Sequence, residues 1–243
     1  GLGVLLLLDR LDDRMASFVE LEELFDEDVL GQIPREKSSD KKGGVPLLQP
    51  ADPRHAFVEA YRNLRSSLLY TAEPGTRPHT LLITSSIPDD GKSITAANLA
   101  ISLAAGGARV LLVDADLRKG TQHSRFKIQA DTGLSEALTQ GLDWRKAVKE
   151  TFQDKLFLLP RGAIIHHSSE TFIGPVMEKF LQETIKEYDY VLIDTAPVMA
   201  ADDVTSLAPR VDGVIFVVRA EFTSARVART ALDMLAQRKA RIL

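Results

Sequence analysis

Lys92 and Ser93 stand side by side, directly after Gly91 and behind the turn-forming run Ser86, Ile87, Pro88, Asp89, Asp90. Lys92 offers a compact positive charge, and Ser93 offers a hydroxyl that can ligate a hard cation. Gly91 lets the backbone approach a bulky anion closely. The stretch fits the phosphate-loop pattern G-x-x-x-x-G-K-[ST], with Ser86 in place of the first glycine. In such a loop, backbone N–H groups at the turn and at a helix N-terminus point at phosphate oxygens. On this reading Ser86, Asp89, Asp90, Gly91, Lys92, Ser93 and Ile94 line a bound ATP. Lys92 faces its outer phosphates and Ser93 its Mg2+. Gly-Lys-Ser alone arises often by chance, and the plainer alternative is an ordinary turn with a capping serine.

Three carboxylates could complete that chemistry. LLVDADLR ends in Asp114 and Asp116, and YVLIDTAP carries Asp194. Both segments read as strands that stop at an acid. In an open parallel sheet, ligands gather at the carboxyl ends of strands. Carboxylates delivered there can hold Mg2+ directly or through water, and one can take a proton from an attacking hydroxyl. The plainer alternative is that each aspartate caps the turn after its strand.

The elements that must position these groups are legible from periodicity. Phe57, Tyr61, Leu64 and Leu68 recur at helical spacing between His55 and Tyr70, and Glu59, Arg62 and Arg65 lie on another face. Thr80 to Thr84 reads as a strand, and an Ala-rich helix runs from about Lys92 to Ala105. Further strands are expected at Arg109 to Asp114, Lys155 to Leu159, Tyr190 to Asp194 and Gly213 to Val218. Helices are expected at 132–140, 143–151, 170–188, 202–208 and 223–238. Short, continuous Val/Leu/Ile strands are those of a parallel sheet buried on both faces. The fold expected is α/β: a doubly wound, mostly parallel sheet flanked by helices. Trp144 reads as a packing residue at a helix start. His166 and His167 read as a loop pair, since no partner stands at ligand spacing.

The 243 residues are enough for one large α/β domain with an extension, and 44% hydrophobic with 26% charged residues is globular. A net charge of -4 gives no basic nucleic-acid surface. The absence of cysteine excludes disulfides, thiolate metal sites and cysteine nucleophiles. Residues 34–54, rich in Pro, Gly and Lys, read as a mobile linker. That divides the chain into 1–33, 34–54 and a domain over 55–243. The run GLGVLLLL at residues 1–8 is too short to span a bilayer, which takes about 20 apolar residues. It is either the start of a buried element or the end of a transmembrane helix.

SSIPDDGKSITAANLA, VLLVDADLRKG and YVLIDTAPV, in that order, resemble the Walker A, Walker A′ and Walker B motifs of the bacterial tyrosine kinases of polysaccharide export. Those are phosphate-loop proteins of the MinD/ParA-like branch. Glu59, Arg62 and Arg65 match that family's E-x-x-R-x-x-R motif, which lies between subunits of a ring. Residues 8–34 resemble the juxtamembrane segment of chain-length-determinant proteins, and this favours a transmembrane end for residues 1–8. The resemblance implies an ATP- and Mg2+-dependent tyrosine (auto)kinase at the cytoplasmic face of the inner membrane. It would act on neighbouring copies and with the polysaccharide export machinery, and would bind no nucleic acid. It assigns Lys92, Asp114 and Asp116 to catalysis, and Ser93, Asp114 and Asp194 to the metal.

The sequence departs from the family at three places. Asp89 stands where the family has a glycine. None of the tyrosines Tyr61, Tyr70, Tyr188 and Tyr190 lies near the C-terminus, where the family has a cluster. The residues end at Leu243, where a further strand is expected. These departures keep open two alternatives, an ATPase switch without kinase activity and a non-catalytic scaffold.

Overall fold

The computed structural model describes Phe25 and residues 29–36, 46–70, 77–165 and 169–243. The expectations for residues 1–8, most of the juxtamembrane segment, residues 37–45 of the linker, and His166 and His167 lie outside those residues. The elements in chain order are α1 (His55–Tyr70), β1 (Thr80–Ser85), α2 (Lys92–Ala105), β2 (Val110–Asp114), α3 (Gln122–Arg125), α4 (Leu134–Thr139), α5 (Trp144–Ala147), β3 (Lys149–Glu150) and β4 (Leu156–Leu159). They continue with α6 (Ser169–Ile173), α7 (Pro175–Glu187), β5 (Tyr190–Asp194), α8 (Asp203–Leu207), β6 (Gly213–Val217) and α9 (Ala225–Gln237).

The strands form one sheet in the order β3-β4-β2-β5-β1-β6. Neighbours are parallel, except that β3 runs antiparallel to β4. Alternation along each strand splits its apolar side chains between two cores. Leu111 and Val113 of β2 face Trp144, Met177, Phe180, Leu207 and Leu235. Leu112 of the same strand faces the other way, toward Phe57, Tyr61 and the alanines of α2. Both faces of the sheet are therefore covered by helices, as the expected doubly wound fold requires. The predicted stripe on α1 is the buried one: Phe57, Tyr61, Leu64 and Leu68.

Three expectations are corrected. The described end of the proposed linker is not loose. Leu47 and Leu48 are buried in the core under α1, and the Leu48 N–H donates to Asn98 Oδ1 at 2.8 Å. Arg54 closes this segment by donating to Asp52 and to the carbonyls of Pro46 and Leu47. That guanidinium holds the Asp52 carboxyl at about 2. Second, the helix expected at 143–151 is one turn long. Asp143 caps it by accepting from Arg145 N–H, but Val148 turns extended at φ -64, ψ 137 and leads into β3. Third, the helix expected at 170–188 is broken at Gly174 (ψ 162), after which Pro175 opens α7. Proline disfavours the helical conformation in the residue before it and suits the first position of a new helix. Trp144 packs as expected, edge-on to Phe180 with ring centroids 5.6 Å apart.

Candidate active site

β1 delivers the phosphate loop to the carboxyl end of the sheet, and α2 begins at Lys92. The turn depends on two left-handed residues, Asp89 at φ 68 and Gly91 at φ 97. Aspartate tolerates that region better than most residues, at some cost. Gly91 occupies the N-cap of α2 and gives the helix no side-chain cap. The first N–H groups of α2 thus remain for an anion, supported by the helix dipole.

Ser86 and Asp90 do not face that anion. Ser86 Oγ and the Ile87 N–H both donate to Asp90 Oδ2, at 3.0 and 3.1 Å. Thr223 Oγ1 donates to Asp90 Oδ1 at 2.6 Å. Both side chains are buried and brace the loop from within. They thus belong to the expected phosphate loop as braces of its backbone. The Arg219 guanidinium adds a second brace by donating to the Asp89 carbonyl at 3.1 Å. The Asp89 side chain is exposed.

The parallel register sets Asp114 of β2 directly beside Asp194 of β5. Ser93 Oγ donates to Asp194 Oδ1 at 3.1 Å, and Lys92 Nζ donates to Ser93 Oγ at 3.0 Å. Lys92 Nζ also lies 3.8 Å from Asp116 Oδ2. The structure therefore brings Lys92, Ser93, Asp114, Asp116 and Asp194 to one place. Asp114 and Asp194 are fully buried. Burial, and then the neighbouring Asp194 charge, push the Asp114 carboxyl up to about 8. Burial also raises Asp194, against the pull of Lys92 and of the hydrogen bonds from Gln122 and Ser93. Gly120 fits tightly here, because a Cβ at that position would overlap the Asp114 carboxylate.

Gln122 joins the cluster, although no motif marks it in the sequence. It opens α3 and is fully buried. Its N–H donates to Asp114 Oδ2 at 2.9 Å. Its Nε2 donates to the Ser93 carbonyl at 2.9 Å and to Asp194 Oδ2 at 2.8 Å. One side chain thus ties α2 to β5, while its backbone ties α3 to β2. Thr223 and Arg219, from the loop after β6, were likewise invisible as site residues.

These donors suit Mg2+. Asp114 Oδ1 is buried with no hydrogen-bond partner among the described residues, and the Ser93 hydroxyl, which donates to Asp194 and accepts from Lys92, keeps one lone pair for a cation. No three acidic or histidine side chains among the described residues converge into a cage of their own. Mg2+ characteristically takes one or two protein ligands and fills its shell with water and substrate phosphates.

Glu59, Arg62 and Arg65 divide into two groups. Arg62 Nη1 donates to Glu59 Oε1 at 2.5 Å, and both side chains are exposed. Arg65 instead donates to the Ser102 carbonyl at 2.6 Å, near the C-terminus of α2. That end of a helix presents unpaired carbonyls and favours a cation.

A family model described as an AAA domain matches residues 89–240. The succinoglycan biosynthesis transport protein ExoP of Rhizobium meliloti is 36% identical over 183 residues, which are 74% of this chain and 23% of that protein. The tyrosine-protein kinase YwqD of Bacillus subtilis is 33% identical over 197 residues, covering 81% of this chain and 83% of that one. The chain thus spans less than a quarter of the first relative and more than four fifths of the second. Among solved structures, the kinase domain of the Escherichia coli tyrosine kinase ETK superposes with a TM-score of 0.84 at 28% identity. That match covers 93% of this chain and 90% of the other.

Proposed function

Since the chain belongs to the bacterial tyrosine-kinase family of phosphate-loop proteins, we propose that it transfers the γ-phosphoryl group of ATP to tyrosine hydroxyls and so regulates exopolysaccharide polymerisation and export. The observation that carries this reading is the strand-end cluster. A buried carboxyl at about 8, Asp114, stands beside Asp194, whose partner Ser93 follows Lys92 in the phosphate loop.

Each group has a task that follows from its surroundings. The N–H groups at the start of α2 and the Lys92 ammonium hold the phosphates, and Asp116 helps to keep Lys92 in place. Asp194 accepts the hydrogen bond of the Ser93 hydroxyl, which fixes that oxygen with one lone pair left for a cation. Ser93, Asp114 and Asp194 are the groups that would hold Mg2+, whose charge would offset that of the phosphoryl oxygens. Asp114 accepts the phenolic proton. Burial alone keeps Asp114 neutral at about pH 7, so it would act as base only in the ionised form that a bound Mg2+ favours, where its raised proton affinity suits a phenol that titrates at about 10.

The partners are proposed on the same footing. They are further copies of the chain, assembled as a ring through α1, and the polysaccharide export machinery at the cytoplasmic face of the inner membrane. No helix among the described residues is long and apolar enough to cross a membrane. A second reading, an ATPase switch that modifies nothing, is favoured by the burial of Tyr61, Tyr188 and Tyr190. Asp114→Asn tests the first reading. It is expected to keep ATP binding and to lower phosphotyrosine formation by about a hundred-fold or more. Unchanged phosphotyrosine formation would remove Asp114 from the role of base.

A further inference from the structure

The chain holds four tyrosines, all within the described residues. Three have no route to a phosphate donor. Tyr61 is buried against α2, edge-on to Phe57. Tyr188 is buried beneath the Arg109 guanidinium. Tyr190 begins β5, and its hydroxyl is buried. Burial raises all three phenols and so holds them in the protonated, unreactive form. Tyr70, the last residue of α1, is 88% exposed.

Its place in the fold decides how it could react. α2 starts at the phosphate loop with Lys92 and runs away from the site to Ala105. α1 packs against α2 near the C-terminal end of α2. Tyr61 reaches the level of Ser102, whose Oγ donates to its carbonyl, and Arg65 also binds at Ser102. Tyr70 follows Arg65 by five residues in the same helix. At 1.5 Å per residue, Ser102 lies about 15 Å along α2 from Lys92, so the part of α1 that it holds stands well away from its own phosphate loop. A phenol side chain cannot span that distance. The chain then re-enters the sheet at Thr80, the first residue of β1 and so at the far edge from the strand-end carboxylates.

We propose that Tyr70 is a phosphoacceptor of this chain, and that it is modified only by the site of another copy. The proposal rests on the kinase reading above. In the step, the Tyr70 oxygen bonds to the γ-phosphorus as the bond from that phosphorus to the bridging oxygen of ATP breaks. ADP leaves with that electron pair, and the phenolic proton passes to the Asp114 carboxylate of the donor copy. The product places about two negative charges at the C-terminal end of α1, where the helix dipole disfavours them. Phosphorylation there loosens the last turn of α1, the helix that also carries Glu59 and Arg62.

The test mixes two variants with Mg2+ and ATP. Lys92→Ala provides an acceptor that cannot transfer, and Tyr70→Phe provides a donor without the acceptor. A synthetic tyrosine-containing copolymer is run in parallel, and label is mapped by peptide mass spectrometry. The expected result is phosphotyrosine on the Lys92→Ala chain at Tyr70 and none on the Tyr70→Phe chain. For wild type alone, diluted below the concentration at which copies assemble, doubling the protein concentration is expected to raise the initial rate about four-fold, as a bimolecular step requires. Label at another tyrosine, or a first-order rate independent of concentration, overturns the proposal. A labelled copolymer beside an unlabelled chain overturns it while leaving the kinase reading intact. An unlabelled copolymer with the wild-type enzyme overturns both.

Discussion

At the scale of single residues, the site is a small buried electrostatic problem. Asp114 and Asp194 meet side by side with no solvent, and both are driven toward the neutral form. What offsets that is the set of donors around them: Ser93, Lys92 and Gln122. Lys92, Ser93 and the three aspartates were legible in the sequence because each sits in a motif whose spacing follows from a strand, a turn and a helix start. Gln122 was not, because a glutamine in a loop carries no spacing signal and its partners are remote in sequence. Gln122→Met keeps the volume but removes both side-chain donors. It is expected to raise the Mg2+ concentration needed for half-maximal ADP binding about ten-fold, with little change in Mg2+-free binding, since such supporting partners typically tune metal affinity by that much. Fluorescence titration of a labelled ADP against Mg2+ checks this. A curve superimposable on wild type would show that Gln122 merely fills space.

At the scale of elements, the sequence reading was strongest where periodicity ran long. The apolar stripe of α1 and the strands of the central sheet stand within a residue or two of their expected places. It failed where a local break overrode the pattern, at Val148 and at Gly174-Pro175. It also failed in the stretch taken for a mobile linker, because two leucines among prolines show no period although they fill a gap beneath α1. The E-x-x-R-x-x-R face likewise proved to be two things. Arg65 anchors α1 to the carbonyl end of α2, whereas Arg62 pairs with Glu59 in solvent. Arg65→Ala is therefore expected to lower unfolding stability by about 1–2 kcal/mol, the usual worth of a charged donor on a backbone carbonyl. Arg62→Ala is expected to cost less than about 0.5 kcal/mol, because exposed ion pairs contribute little. Urea melts of the two variants distinguish these roles. Equal losses would contradict the division. An effect of Arg62 on assembly without one on stability is what a ring interface through α1 requires.

At the scale of the whole molecule, the same carboxylates shape how the fold responds to pH and what the protein does. Asp114 is raised from 3.8 to about 8 in the folded chain, so between those values the folded state binds a proton that the unfolded state does not. Its contribution is full below about pH 4 and is lost as pH rises through about 8. Asp194 acts in the same direction. Asp52, held at about 2 by Arg54, acts oppositely: its contribution is present above about pH 4 and lost as pH falls toward 2. Without Mg2+, the melting temperature is expected to fall from about pH 5 to pH 8, and Asp114→Asn to flatten that fall. A flat wild-type profile would contradict the buried, coupled pair. The central claim, that this arrangement phosphorylates tyrosine, is tested most directly by one ratio: phosphotyrosine formed to ATP consumed. It is measured on a tyrosine copolymer with Mg2+, and Lys92→Ala serves as the control. The account predicts that most ATP consumed by wild type appears as phosphotyrosine, and that the control loses at least about a hundred-fold of that signal. ATP consumed at an undiminished rate with no phosphotyrosine formed would contradict it and leave a nucleotide-driven switch in its place.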